Sequence, residues 1–148
     1  MVNLFYLDKN PQKCAQYYCD KHVLKILVEI VQILSQLHHL LDSKDPPYKK
    51  CLMIKPGLAP LQWAMISKSN YQYCADLAYY LFKEYQFRYQ KNNHKCELAI
   101  KWLQNNIPEK IIKKNRTKFL LTDNTKIYQE FFNDIEACRL SYVYYKCK

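Results

Sequence analysis

Four reactive side chains stand side by side near the start of the chain: the thiol of Cys19, the carboxylate of Asp20, the amine of Lys21 and the imidazole of His22. Lys25, Glu29 and Gln32 follow at steps of three and four, then Gln36 and His39. In a helix, at about 100° per residue, these positions share one strip with Tyr18 and His22. Most of the other residues from Val23 to Leu41 are apolar. A titratable strip on such a helix must reach solvent, be paired internally or line a cavity, because unpaired buried charge is costly. Neighbouring charges and partial desolvation would tune its protonation, which acid–base chemistry requires. The expected catalytic groups are therefore the carboxylates of Asp20 and Glu29, the amines of Lys21 and Lys25 and the imidazole of His22. The plainer reading is a helix edge facing water, with Lys25 and Glu29 as an i,i+4 ion pair of small value.

A second polar set could face that strip across a cleft. Asn70-Tyr71 is followed by Glu84-Tyr85, Arg88-Tyr89 and His94, which places acid, base and aromatic groups on one wall. With Gln32, the residues Asn70, Tyr71, Glu84, Arg88, Tyr89 and His94 are the expected substrate-binding group. The alternative is that Glu84 and Arg88 form a surface pair and the tyrosines pack. Cys19 and His22 also share a helix face at i,i+3. A bare Cys–His pair, however, lacks the orienting third group and oxyanion donors of thiol hydrolases. There is no H-E-x-x-H, E-x-x-H or C-x-x-C spacing, so neither a metal site nor any other cofactor is expected. Polyanion contact has two candidate segments. One is the basic stretch with Lys113, Lys114 and Arg116. The other is Arg139-x-x-Tyr142-x-Tyr144-Tyr145-Lys146, where cations alternate with rings on which unpaired bases stack.

The elements that must position these groups are helical. Gly57 is the single glycine, which excludes a glycine-rich phosphate loop, a dinucleotide fingerprint and a glycine-punctuated β architecture. The expected fold is all-α: a compact helical bundle around a long, mostly buried N-terminal helix, with residues 1–148 as a single domain. Asn10-Pro11 starts that helix, which should run over 11–41. A proline-rich loop at 43–59 follows, then a second helix from Pro60 to about Asn92 with a break near Ser67–Asn70. A third helix covers 94–105, an irregular basic stretch 109–126 and a last helix 128–145. The run at 2–7 suits an edge strand or an extended arm. A formal charge of +10 suits a nucleic-acid partner, although AT-rich codon usage also inflates Lys, Asn, Ile and Tyr. Seven cysteines, an odd number, without a signal-like N-terminus suit reduced thiols inside a cell. His22, Lys25 and Glu29 argue against a membrane span.

Taken together, Asn3-Leu4-Phe5, Leu7-Asp8-x-x-Pro11, Cys14-Ala15, Cys19-Asp20-Lys21-His22-Val23-x-Lys25, Glu29 and Gln32 resemble a family of small proteins of tailed phages and large DNA viruses. Trp63, Asn70-Tyr71, Glu84-Tyr85-x-x-Arg88-Tyr89, His94 and Glu136-Ala137-Cys138-Arg139 with Tyr142 continue the pattern over most of the chain. Two positions depart from it. Ala59 stands where the family carries His before Pro, which removes one potential site imidazole. Gln90 stands where the family carries Gly. In size, charge, helical character and Tyr-rich C-terminus the profile is also similar to phage pyrimidine-dimer glycosylase. The resemblance implies a small viral DNA-acting enzyme of the infected host cell's cytoplasm or nucleus, of the base-excision glycosylase/lyase kind. Asp20 or Glu29 would stabilise a sugar cation, Lys21 or Lys25 supply the amine, and Tyr71 or Tyr89 receive a flipped base. Two other readings stand beside it: a non-catalytic viral protein that binds nucleic acid or a host factor, and an enzyme acting on a small phosphorylated molecule.

Overall fold

Asn10 opens the first helix as its spacing predicts. Its Oδ1 accepts from the backbone N–H groups of Gln12 and Lys13, and Pro11 occupies the first helical position. The structure, a computed structural model, describes residues 4–119 and 135–146. Among these the chain forms six helices and no strand: α1 (Pro11–Tyr17), α2 (Asp20–Leu40), α3 (Ala59–Ile66), α4 (Lys68–Tyr89), α5 (Glu97–Asn105) and α6 (Ile135–Lys146). Lys126 and the expected start of the last helix, with Tyr128, Phe131 and Phe132, lie outside the described residues.

The expected single helix over 11–41 is corrected to two. Tyr18 and Cys19 are extended, with ψ of 136° and 155°. The cause is tertiary. Tyr18 turns inward until it is 2% exposed, and its hydroxyl donates to the Phe5 carbonyl and accepts from the Phe5 N–H, both at 2.8 Å. The described part of the arm before α1 forms no strand and is tied through its backbone to the Tyr18 and Cys14 side chains. The Leu7 N–H reaches the Cys14 sulfur, and Leu4, Phe5 and Leu7 are buried. A helix running straight through Tyr18 would forfeit these bonds and leave the Phe5 backbone groups unsatisfied, which is costly in a core.

α2 is central, with α4 as its main partner; α3 and α5 also pack against it, and α1 packs on α4. By length and composition α2 could cross a membrane. In this fold Val23, Ile26, Leu27, Ile30, Val31, Ile33, Leu34 and Leu37 are buried. The expected break in the second helix falls at Ser67, which is extended, and its Oγ caps α4 by accepting from Asn70 N–H at 3.0 Å. α4 ends at Tyr89. Gln90 adopts the left-handed conformation, φ 52°, that favours glycine after a helix.

The core assignment predicts a large contrast within one helix turn. Leu27 is fully buried and Leu24 is 38% exposed. Leu27→Ala should cost about 2–5 kcal/mol of unfolding free energy in urea, and Leu24→Ala under about 1. Equal costs would show that α2 is not the core helix.

Candidate functional site

The break between α1 and α2 gathers a polar cluster around Cys19. Cys19, the residue before α2, donates its backbone N–H to the Tyr142 hydroxyl at 3.1 Å. His22 Nδ1 lies 2.7 Å from that hydroxyl and 3.3 Å from Cys19 Sγ, and the Tyr142 O–H reaches the same sulfur at 3.3 Å. The phenol is buried and packs on the Phe5 ring, which also touches the His22 ring. Cys19 and His22 are half-buried.

Arg88 fastens the other side of the same break. Its guanidinium donates to the carbonyls of Tyr18 (2.5 Å) and Gln16 (3.1 Å), pairs with Asp20 at 3.0 Å and with Glu84 at 2.8 Å. Tyr89 donates its hydroxyl to the Asp20 carbonyl at 2.9 Å. Carbonyls at the end of α1 have no helical partner, and a planar fork of donors suits two of them at once. Of the expected wall, Arg88 and Tyr89 thus meet Asp20 by direct contact, and Glu84 meets it through Arg88, with no cleft between them. Their polar atoms hold the joint itself.

The remaining expected site residues lie elsewhere. Asn70 is buried below α3, where its amide N donates to Trp63 O and Thr117 Oγ1 and its Oδ1 accepts from Thr117 N. Tyr71 is buried against α5 and donates to Leu103 O at 2.9 Å. His94 packs edge-on to Tyr85 and accepts the Cys96 N–H, and burial, with the Lys95 charge, lowers its pKa. Lys21 and Lys25 are exposed, and Glu29 and Gln32 half-buried, along the middle of α2. The lower strip is an internal clasp: Gln36 accepts from Cys51 N–H at 2.8 Å, and His39 donates to Tyr48 O at 2.7 Å. Among the described residues, Asn70 and His94 thus bond to partners other than the joint that Arg88 holds.

The segment 110–118 is ordered by its backbone. The carbonyls of Lys113 and Lys114 accept from the N–H groups of Lys68 and Ser69 in the first turn of α4, and Lys118 O accepts from the Trp63 indole. Lys113, Lys114 and Arg116 are exposed. Arg116 also donates to Lys9 O and lies 4.7 Å over the Tyr73 ring. Arg139 and Tyr142, expected as nucleic-acid contacts, are instead turned into the protein. Tyr142 is 1% exposed, and Arg139 bonds Leu7 O, Asp8 and Glu136 while stacking on Tyr17. Buried rings cannot stack on bases, so α6 docks through these residues. Among the described residues no three His, Cys, Asp or Glu side chains gather as a metal site.

Two features escaped sequence reasoning. The third partner of Cys19 and His22 is 120 residues away from His22, and only its i,i+3 placement with Arg139 on one helix face hints at docking. His38 was visible only as one of two adjacent histidines. It is buried at the end of α2, where Nε2 bonds the Tyr71 hydroxyl at 2.8 Å while Nδ1 has no partner among the described residues. It borders a cleft of about 410 Å³, with Trp102, Ser43 and Asn106 among the other lining residues. No protein-family model, curated protein or solved structure matches the chain.

Burial, helped by the neighbouring His39, lowers the His38 pKa from 6.5 to about 4. The folded chain then binds fewer protons than the unfolded chain between those values, so stability is complete above pH 6.5 and falls as pH drops towards 4. The loss attributable to this group is at most about 3 kcal/mol, less whatever solvent screens. Unfolding free energies measured from pH 7 to 4 should decline less steeply in His38→Gln. An unchanged decline would show that His38 is not the titrating group.

Proposed function

We propose that this protein binds nucleic acid, DNA in the first instance, along the basic segment 110–118. The observation that carries the reading is the division of labour within that segment. Its carbonyls cap α4 and Thr117 anchors to Asn70, while the side chains of Lys113 and Lys114 stay exposed. A backbone fixed in this way holds ammonium groups at set spacing without neutralising them. The N-terminus of α4 beneath adds the positive end of a helix dipole. Phosphate contacts of this kind supply affinity without sequence preference. The chain's formal charge of +10 favours the same partner.

The glycosylase reading draws less support from the geometry. Such chemistry needs a carboxylate, an amine and ring surfaces around one extruded base. Here Asp20 is paired with Arg88, Tyr71 is buried against α5, and Lys21 and Lys25 are exposed on α2. The non-catalytic binding reading fits the placement of these groups better.

The test is fluorescence anisotropy with a short duplex across a range of salt concentrations. The logarithm of the association constant should fall linearly with the logarithm of salt. Replacing Lys113 and Lys114 by Ala should flatten the slope by about 0.9 for each phosphate that is no longer neutralised. Arg116 is kept, because its guanidinium also holds Lys9 and Tyr73. No binding at low salt, or an identical slope in the double variant, would overturn the proposal.

A further inference from the structure

We propose that Cys19, His22 and Tyr142 form a peroxide-reactive thiol centre in which Cys19 is the nucleophile, His22 its proton acceptor and donor, and Tyr142 a hydrogen-bond donor to the sulfur. The centre is independent of the nucleic-acid reading.

The geometry supplies each part. Sγ of Cys19 lies 3.3 Å from His22 Nδ1 and 3.3 Å from the Tyr142 hydroxyl. The Cys19 N–H donates to the phenol oxygen at 3.1 Å, and the phenol O–H reaches the Cys19 sulfur. Once the thiol proton is on Nδ1, the imidazolium can donate to the phenol oxygen at 2.7 Å while the phenol donates to the thiolate. All three contacts are satisfied together in that ion-paired state. The sulfur also sits at the N-terminal end of the 21-residue α2, whose dipole favours negative charge.

Burial sets three of the other described cysteines apart from this one. Cys14 and Cys74 are completely buried, and burial raises both thiol pKa values, that of Cys14 to about 11. Cys96 is buried and bonded to the Tyr48 hydroxyl. Cys51 is half-buried on the loop before α3, and Cys138 is half-buried on α6. Cys19 combines partial exposure with an imidazole in contact with its sulfur.

Peroxide is the substrate class that the site suits. Acyl transfer needs donors preorganised around a developing oxyanion, whereas peroxide cleavage needs only a thiolate and a proton for the leaving oxygen. The Cys19 proton moves to His22 Nδ1. The sulfur then attacks one peroxide oxygen, the S–O bond forms and the O–O bond breaks. The departing hydroxide takes the proton from His22 and leaves as water. Cys19 becomes a sulfenic acid, oxidised by two electrons, and the peroxide is reduced.

The experiment treats the fully reduced protein with limiting hydrogen peroxide in the presence of dimedone, which traps sulfenic acid, and quantifies each cysteine by peptide mass spectrometry. Cys19 should be trapped at least about tenfold faster than Cys51, the internal reference in the same sample. His22→Asn and Tyr142→Phe should each lower the Cys19 rate severalfold while leaving Cys51 unchanged. Equal trapping of Cys19 and Cys51 in the unmodified protein would overturn the proposal, as would an undiminished Cys19 rate in folded His22→Asn. A variant that unfolds will reveal itself by labelling Cys14 and Cys74, and the comparison within the unmodified protein then decides.

Discussion

A single guanidinium closes the joint on which the N-terminal half of this fold turns. Where the chain leaves α1 it must expose carbonyls that no helical N–H can reach. Arg88, reaching across from α4, takes the carbonyls of Gln16 and Tyr18 and is itself balanced by Glu84 and Asp20. The arrangement lets two extended residues sit between two helices. Those residues send Tyr18 inward to the Phe5 backbone and present Cys19 to His22 and Tyr142. The thiol centre and the packing of the N-terminal arm are thus consequences of one break in helix geometry.

The polar strip on α2 has a different task at each level. At its top His22 joins the thiol centre, and Lys25 below it is exposed. Further down, Gln36 and His39 tie the 48–51 stretch to the helix through backbone atoms. Segment 110–118 is tied by the same means through Asn70 and the start of α4. In both places a helix side chain or helix end satisfies the backbone of an irregular segment. That is how these irregular segments keep backbone groups paired.

Local signals were legible wherever their causes are local. Asn10-Pro11 marked the start of α1, Ser67 the break before α4, and the apolar spacing from Val23 to Leu37 the buried face of α2. The break at Tyr18–Cys19 was not legible, because neither residue is a helix breaker and the apolar period runs on past them. Its causes lie at Phe5 and Arg88, thirteen residues before Tyr18 and seventy after it. The Cys19–His22 spacing could be read, but its third member, Tyr142, could not, and without it the pair has no orienting group. Arg139 and Tyr142 read as a surface for nucleic acid because alternating cations and rings look alike whether they face solvent or dock a helix. Burial, a tertiary property, separates the two.

If Arg88 holds the joint, deleting its charge must cost far more than deleting a surface ion pair. Arg88→Met removes a guanidinium with an 18% exposed side chain and leaves Glu84 and two carbonyls without it. Lys101→Met removes the exposed partner of Glu97 on α5. Urea unfolding should show a loss of about 2–4 kcal/mol for Arg88→Met and under about 1 kcal/mol for Lys101→Met. Equal, small losses would contradict the claim and leave the break between α1 and α2 without its physical cause.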